Sequence, residues 1–254
     1  MVTKSKSAAS FLGLMSCLLL AYTSASCAQN NQTTSNIYSP QQGQADNTKG
    51  FGGFYTQFGL GYQSFSPNFS NSNYTVHGTT YASTTQASNS QGMAGMVTAG
   101  YDFTINPGFL LGVGAELSPL PSKSSSFGGA TVGNINIPST TYKVNNTYNL
   151  FLSPIFPVDK MTAIYGKLGY SKANVSSGPN LDSLGYSGYS VGLGYKTILS
   201  GNFYAYVEGN YYNYGKVNDS GTAITPGNTP STYGYSNSSN ATSYNLLYGI
   251  GMHF

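Results

Sequence analysis

Charge is what this chain has least of. Asp, Glu, Lys and Arg make up 7% of its 254 residues, against about 25% in ordinary soluble domains. Arginine is absent, and ten Lys face seven acids. A nucleic-acid surface needs a clustered basic patch, which so thin a supply does not build. Tryptophan is also missing, and His77 and His253 are the only histidines. Lying far apart, among scattered carboxylates, they have no metal-ligand spacing. Cys17 and Cys27 are the only cysteines. Beyond residue 28 no apolar run reaches the roughly 18 residues of a spanning helix.

What the chain has instead is 32 Gly and 23 Tyr, at a mean hydropathy of −0.19. Low charge with many aromatics argues against disorder, which needs the reverse. The first 28 residues read as a cleavable signal peptide: Lys4 and Lys6, the apolar FLGLMSCLLLAY (11–22), then small residues. Cleavage is expected after Ala28, which removes both cysteines and with them any disulfide or thiol chemistry. A lipoprotein acylated at Cys27 is the rival reading, but Ser24-Ala25-Ser26 lacks the leucine expected three positions upstream. Residues 29–50, rich in Asn, Gln, Ser and Thr, read as a flexible polar lead-in.

From residue 51 the chain alternates between patterned segments and connections. The segments cover 54–65, 92–105, 109–117, 142–158, 162–173, 186–198, 203–215 and 242–254. Each is apolar at every second position, as in Val97, Ala99, Tyr101 and Phe103, the period of a strand with one oily face. Tight turns by residue type (Asn106-Pro107-Gly108, 158–161, Ser200-Gly201-Asn202) alternate with long polar connections near 66–91, 118–141, 174–185 and 216–241. Short turns at one end and long loops at the other are the mark of an up-and-down array between two different environments. The fold expected over 51–254 is therefore all-β, an eight-stranded antiparallel transmembrane β-barrel. It must be closed, because open strand edges in lipid leave backbone groups unpaired.

Aromatics in the oily phase collect toward the turns (Tyr101, Phe103, Phe109, Phe156, Phe203, Phe254) and again toward the loops (Tyr62, Tyr148, Tyr170, Tyr189, Tyr211, Tyr244). Such rings favour the two membrane interfaces. Asp102, Glu116, Lys167, Lys196 and Glu208 fall in the opposite, inward phase. No charge falls on the lipid-facing phase of a strand core, where a Lys near the midplane costs about 2–4 kcal/mol. Eight strands leave a lumen just wide enough for side chains, and buried charges persist there only when paired. The five are expected at similar depth, in one acid–base network. Tyr204, Tyr206 and Tyr212 are expected to fill space opposite Gly192, Gly194, Gly249 and Gly251. Such a network plugs the barrel; the functional alternative is a narrow, gated ion path. Pro154, outward in the fourth segment, cannot donate to a ladder, so a bulge or irregular stretch is expected there.

With the signal peptide, GFYTQFGLGY, GKLGY, VGLGYK and LLYGIGMHF, the chain resembles the small eight-stranded outer-membrane barrels of the OmpA, OmpX and opacity-protein kind. The resemblance covers about residues 51–254. It implies that Tyr248, Ile250, Met252 and Phe254 form the signal read by the barrel-assembly machinery. It also implies contact with outer-membrane lipid and lipopolysaccharide. The chain lacks the family's frequent Trp and Arg, and nothing like a peptidoglycan-binding domain follows the barrel, so wall anchoring is not expected.

Some outer-membrane barrels are enzymes that use His with Ser or Asp. His77 falls in the first long connection among Ser and Thr too abundant to single out a partner, and His253 near the turn end. The glycine pairs of LGVGAE and VGLGYK open no helix and cradle no phosphate. Sequons such as Asn68-Phe-Ser read as accidents of composition. A monomeric outer-membrane barrel with no enzymatic activity, no cofactor and no nucleic-acid partner is expected. Its surface loops would serve display or adhesion to a host or surface ligand; a small-solute channel is the alternative, and a lipid- or peptide-modifying enzyme the third class.

Overall fold

The computed structural model describes residues 50–132, 135–177, 183–225 and 231–254. The expected signal peptide, its cleavage point at Ala28 and nearly all of the lead-in lie outside the described residues. Eight long strands make a ring: β1 (Gly53–Val76), β3 (Ser90–Asn106), β4 (Phe109–Ser118), β6 (Ile135–Pro157), β7 (Thr162–Ser177), β8 (Leu184–Ser200), β9 (Phe203–Ile224) and β10 (Thr232–His253). Two short strands, β2 (Thr79–Ser83) and β5 (Ser125–Val132), attach to β1 and β6. All neighbours are antiparallel, and β1 pairs with β10 from Tyr55↔His253 to Thr75↔Gly234, which closes the barrel.

The three short connections are built by their own residues. Asn106 Oδ1 accepts from the Gly108 amide (3.0 Å), and Asp159 Oδ1 from the Met161 amide (2.7 Å), the side-chain turns that Asn and Asp favour. In the third, Gly201 takes the left-handed φ of 55°. Between the aromatic girdles the outer face is apolar: Phe58, Val97, Val113, Leu150, Leu152, Leu168, Val191, Leu193, Tyr248 and Ile250 are all exposed. On β10 the belt runs from Phe254 to Tyr244, close to the nine to eleven or so residues a tilted strand needs to cross a bilayer.

Of the bulge or irregular stretch expected at Pro154, the structure shows the irregular stretch. The β6–β7 register is the same on either side of it, Leu152↔Leu168 and Ile155↔Tyr165, and only the pairing of Ser153 and Pro154 lapses. Ser153 Oγ donates to the Gly166 carbonyl at 2.8 Å. That carbonyl stands opposite Pro154 in the continued register, so a hydroxyl supplies the donor that the ring lacks. The register shift lies higher in the same strand, between Val144 and Asn146. Below it Thr147, Asn149 and Phe151 are buried; above it, Tyr142 and Val144. One extra residue exchanges the inward and outward sets.

The long connections differ most from expectation. Three of the four are mainly strand. β1 continues fourteen residues past Tyr62 to Val76, and the β9–β10 hairpin carries pairing as far as Ile224↔Thr232. His77 (φ 48°) and Gly78 (φ 80°) form the two-residue turn that links Val76 to its partner Thr79, the geometry that suits a tight hairpin. Thr and Tyr between Ser and Asn sustain these ladders without an oily face, because water serves the side not packed. What packs is the tip: Tyr74, Val76 and Ile137 bury together with Tyr233 and Tyr235 against them, and Phe69 stacks on Phe127 at 5.3 Å. The Tyr142 hydroxyl donates to the Ser88 carbonyl at 2.6 Å.

Because the ring below is complete without the hairpin extension, joining Lys216 to Asn240 through a two-residue Asn-Gly turn is expected to leave a folded barrel. Unchanged heat-modifiable gel mobility in detergent checks this.

Candidate functional site

The lumen is filled in layers. At the turn end Phe51, which precedes β1, is wholly buried among Leu110, Ile155, Ala163, Tyr165 and Ile198. Gly50 and Gly53, with φ of 101° and 111°, turn the chain inward on either side of it. Above Phe51 lies the first ionic group. Lys196 Nζ donates to Asp102 Oδ2 at 2.8 Å, and His253 Nε2 stands 3.5 Å from the same oxygen. The ammonium is 5.6 Å from the Phe51 ring and 5.5 Å from that of Tyr204.

Deeper in lies the second group. Lys167 Nζ bonds Glu116 Oε1 and, at 2.6 Å, Glu208 Oε2. Tyr165 OH donates to Glu208 Oε2 (2.8 Å) and Asn210 Nδ2 to Glu208 Oε1 (2.6 Å). Asn149 Nδ2 donates to Glu116 Oε2 (2.9 Å), and the Lys167 ammonium sits 4.3 Å from the Phe151 ring centroid. Every carboxylate oxygen of this group thus has a donor, the condition under which buried charges are tolerated. The five inward charges therefore divide into two groups at different depths, separated by the Tyr165 ring, rather than one network at a single depth. Both lysines lie 5.9 Å from that ring.

The tyrosines find their space over glycines. A Cβ on Gly251 would strike the Tyr204 ring and one on Gly194 the Tyr165 ring, while one on Gly249 would meet the Phe58 carbonyl first and the Tyr206 ring after it. Over Gly192 it is the Asn210 amide that lies, not a tyrosine. Tyr212 faces none of these glycines; it stacks on Tyr214 and belongs to an aromatic cap with Phe65, Tyr142 and Tyr186. Asn245 links the levels, accepting from Asn210 (2.9 Å) and donating to the Tyr212 hydroxyl (3.3 Å). A water-wide channel would leave its lining accessible, yet Lys167 and Lys196 are 4% and 3% exposed and Tyr204 0%. Phe51, His253 and Tyr165 share this site although nothing in the sequence reading gave them a role in it. For the latter two, strand parity already marks the inward phase.

The remaining residues of interest lie on surfaces. Tyr248, Ile250 and Phe254 point outward and are exposed, Met252 is half-buried, and this stretch pairs with β1 at Leu60, Phe58 and Thr56.

Lys167→Met strands two buried carboxylates and is expected to destabilise the barrel by about 3–5 kcal/mol. Adding Glu116→Gln and Glu208→Gln should restore most of that loss, as read by urea unfolding in detergent. In planar bilayers the unmodified protein is expected to show no stable pore; a steady nanometre-wide conductance would contradict the filled lumen.

Comparison with known proteins agrees with this architecture. No curated protein matches the sequence. Among solved structures, the outer membrane protein OprG of Pseudomonas aeruginosa is 13% identical with a TM-score of 0.53, covering 80% of this chain and 98% of that one. At that identity the likeness is one of fold. Two looser likenesses, each covering 79% of this chain, are to Ail, the attachment invasion locus protein of Yersinia pestis, and to the outer membrane protease OmpT of Escherichia coli. Ail, solved with the heparin analogue sucrose octasulfate, is 13% identical over 99% of its own chain (TM-score 0.37), and OmpT 11% over 96% (0.39). Fold by itself assigns no activity. The model of the outer membrane protein beta-barrel domain matches residues 16–254. With a closed ring, an apolar belt and that match, the chain is an integral protein of a bacterial outer membrane and belongs to the outer membrane protein β-barrel domain family.

Proposed function

We propose that this protein is a monomeric, non-enzymatic surface-interaction protein, a plugged barrel that holds a rigid β-structured knob above the membrane for contact with a host or surface ligand. The observation that carries it is the packed extension. Ordering backbone costs about 1–2 kcal/mol per residue, and loops that only covered the barrel mouth would have no need to bury Tyr74, Val76 and Ile137 or to stack Phe69 on Phe127. A presentation surface gains from that order, because a preformed rim loses less entropy when it binds.

Of the two histidines, His253 supports the non-enzymatic reading, since it is sealed with Asp102 in the lumen away from any substrate; His77 stands exposed in a hairpin turn. The reading calls for no cofactor and no nucleic acid. Its other partners follow from the outer surface. The belt meets lipid, and Lys143 and Lys172, exposed above the loop-side girdle, suit the phosphates of lipopolysaccharide. The alternating Tyr248, Ile250, Met252 and Phe254 suit the barrel-assembly machinery.

Cells displaying the chain shortened between Lys216 and Asn240 should bind host cells or matrix protein at least tenfold less than cells displaying the full chain at equal surface level. Equal binding by the two would end the proposal.

A further inference from the structure

Lys167 on β7 stands opposite Gly192 on β8, and Gly192 stands opposite Asn210 on β9. The three share one rung, so Lys167 and Asn210 lie two strand spacings apart, about 10 Å, with no side chain between them. A residue larger than glycine would close that gap. A Cβ at 192 would run into the Asn210 carbonyl oxygen and stand 3.3 Å from both Asn210 Cγ and Lys167 Cβ.

Glu208, two residues before Asn210 and so on the same face of β9, joins the two ends. Its Oε2 holds the Lys167 ammonium at 2.6 Å, and its Oε1 accepts from Asn210 Nδ2 at 2.6 Å. An amine and an amide nitrogen thus sit on the two oxygens of one carboxylate, the parts of an acyl transfer with its acid–base group in place. Asn210 Nδ2 also donates to Asn245 Oδ1 at 2.9 Å, which fixes the plane of the carboxamide. Water is shut out: Asn210 is 2% exposed and Glu208 1%. Reactants held in such contact reach effective concentrations of about 10⁵ M or more, with no solvent to divert the reaction. Asn149 is the competing amide. It donates to Glu116 Oε2, but it stands opposite Ser171, four residues along β7 from Lys167, and its carbonyl accepts from the Ser190 hydroxyl at 2.8 Å.

We propose that Lys167 and Asn210 condense after folding, with no other protein, into an isopeptide bond that ties β7 to β9 across β8. The ammonium first gives a proton to Glu208, which frees the amine. The amine lone pair adds to Asn210 Cγ; the Nζ–Cγ bond forms and the Cγ–Nδ2 bond breaks. Nδ2 takes a second proton from Nζ, relayed by the Glu208 carboxyl, and leaves as ammonia. Of the three protons on the ammonium, one departs with ammonia, one stays on Glu208 and one remains on the new amide. The net charge of the group is unchanged, two carboxylates and one ammonium before, one carboxylate after. No oxidant or cofactor takes part. The ion-paired lumen is the freshly folded reactant, and the bond follows it.

Intact mass reads the reaction directly in the full chain, produced unfolded, refolded in detergent and followed over days. A loss equal to one ammonia is expected. Trypsin should then spare Lys167 and release a branched peptide joining residues 161–172 to 197–216. Asn210→Ala should keep its full mass and be cut at Lys167, at unchanged heat-modifiable mobility, and Glu208→Gln should slow the loss at least tenfold. A constant mass in the aged protein would overturn the bond. So would ammonia lost with Lys167 still cut, the mark of an imide at an asparagine, or a branch to the peptide that carries Asn149. Glu208→Gln reacting at full rate would overturn the proton relay. The mass of the unsubstituted chain decides the bond by itself, whatever the variants do on folding.

Discussion

Everything in this molecule follows from the closure of β1 on β10. Hydrocarbon offers no partner to an amide or a carbonyl, so a sheet that enters it must have no edge. The seam from Tyr55↔His253 upward meets that requirement. Once the ring is closed with eight strands, its interior is too narrow for bulk water. Side chains of the inward phase must then satisfy one another. The pairing of Lys196 with Asp102, and of Lys167 with Glu116 and Glu208, is a result of that enclosure.

Much of this could be read from period two alone. The parity that puts Val97, Leu150, Leu168 and Ile250 in lipid puts Asp102, Glu116, Lys167, Lys196 and Glu208 inside, and both sets stand where parity puts them. Parity does not carry depth. Counted from the turn-side strand ends, Asp102 and Lys196 stand four residues in and Lys167, Glu208 and Glu116 five to seven, and that difference along the strands is enough to make two groups instead of one. Nor does parity survive a bulge: the shift at Val144/Asn146 reverses the phase of Tyr142 without any signal in residue type. His77-Gly78 could have been recognised as a hairpin turn from the flanking Tyr, Thr and Val. The Ser and Asn around it gave the segment the composition of a loop.

That composition misleads for a physical reason. Inside the bilayer a strand needs an oily face, so its pattern is visible. Outside, water hydrates one face, and a ladder of Thr, Ser, Asn and Tyr is held by its backbone and a few buried rings. The same sheet thus obeys two alphabets on either side of the loop-side girdle. Only the lower one is conspicuous. The upper part departs from a cylinder because no hydrocarbon compels closure there, which is why β8 and β9 can separate above Gly188↔Tyr214.

Phe51 adds a constraint in time. It is among the first described residues of the chain, yet its socket takes Leu110 from β4, Ile155 from β6, Ala163 and Tyr165 from β7 and Ile198 from β8. None of those walls is in place when Phe51 is synthesised, and all must have come together before its ring has anywhere to go. Seating it is therefore a late event in assembly, a stopper inserted after the vessel has been made.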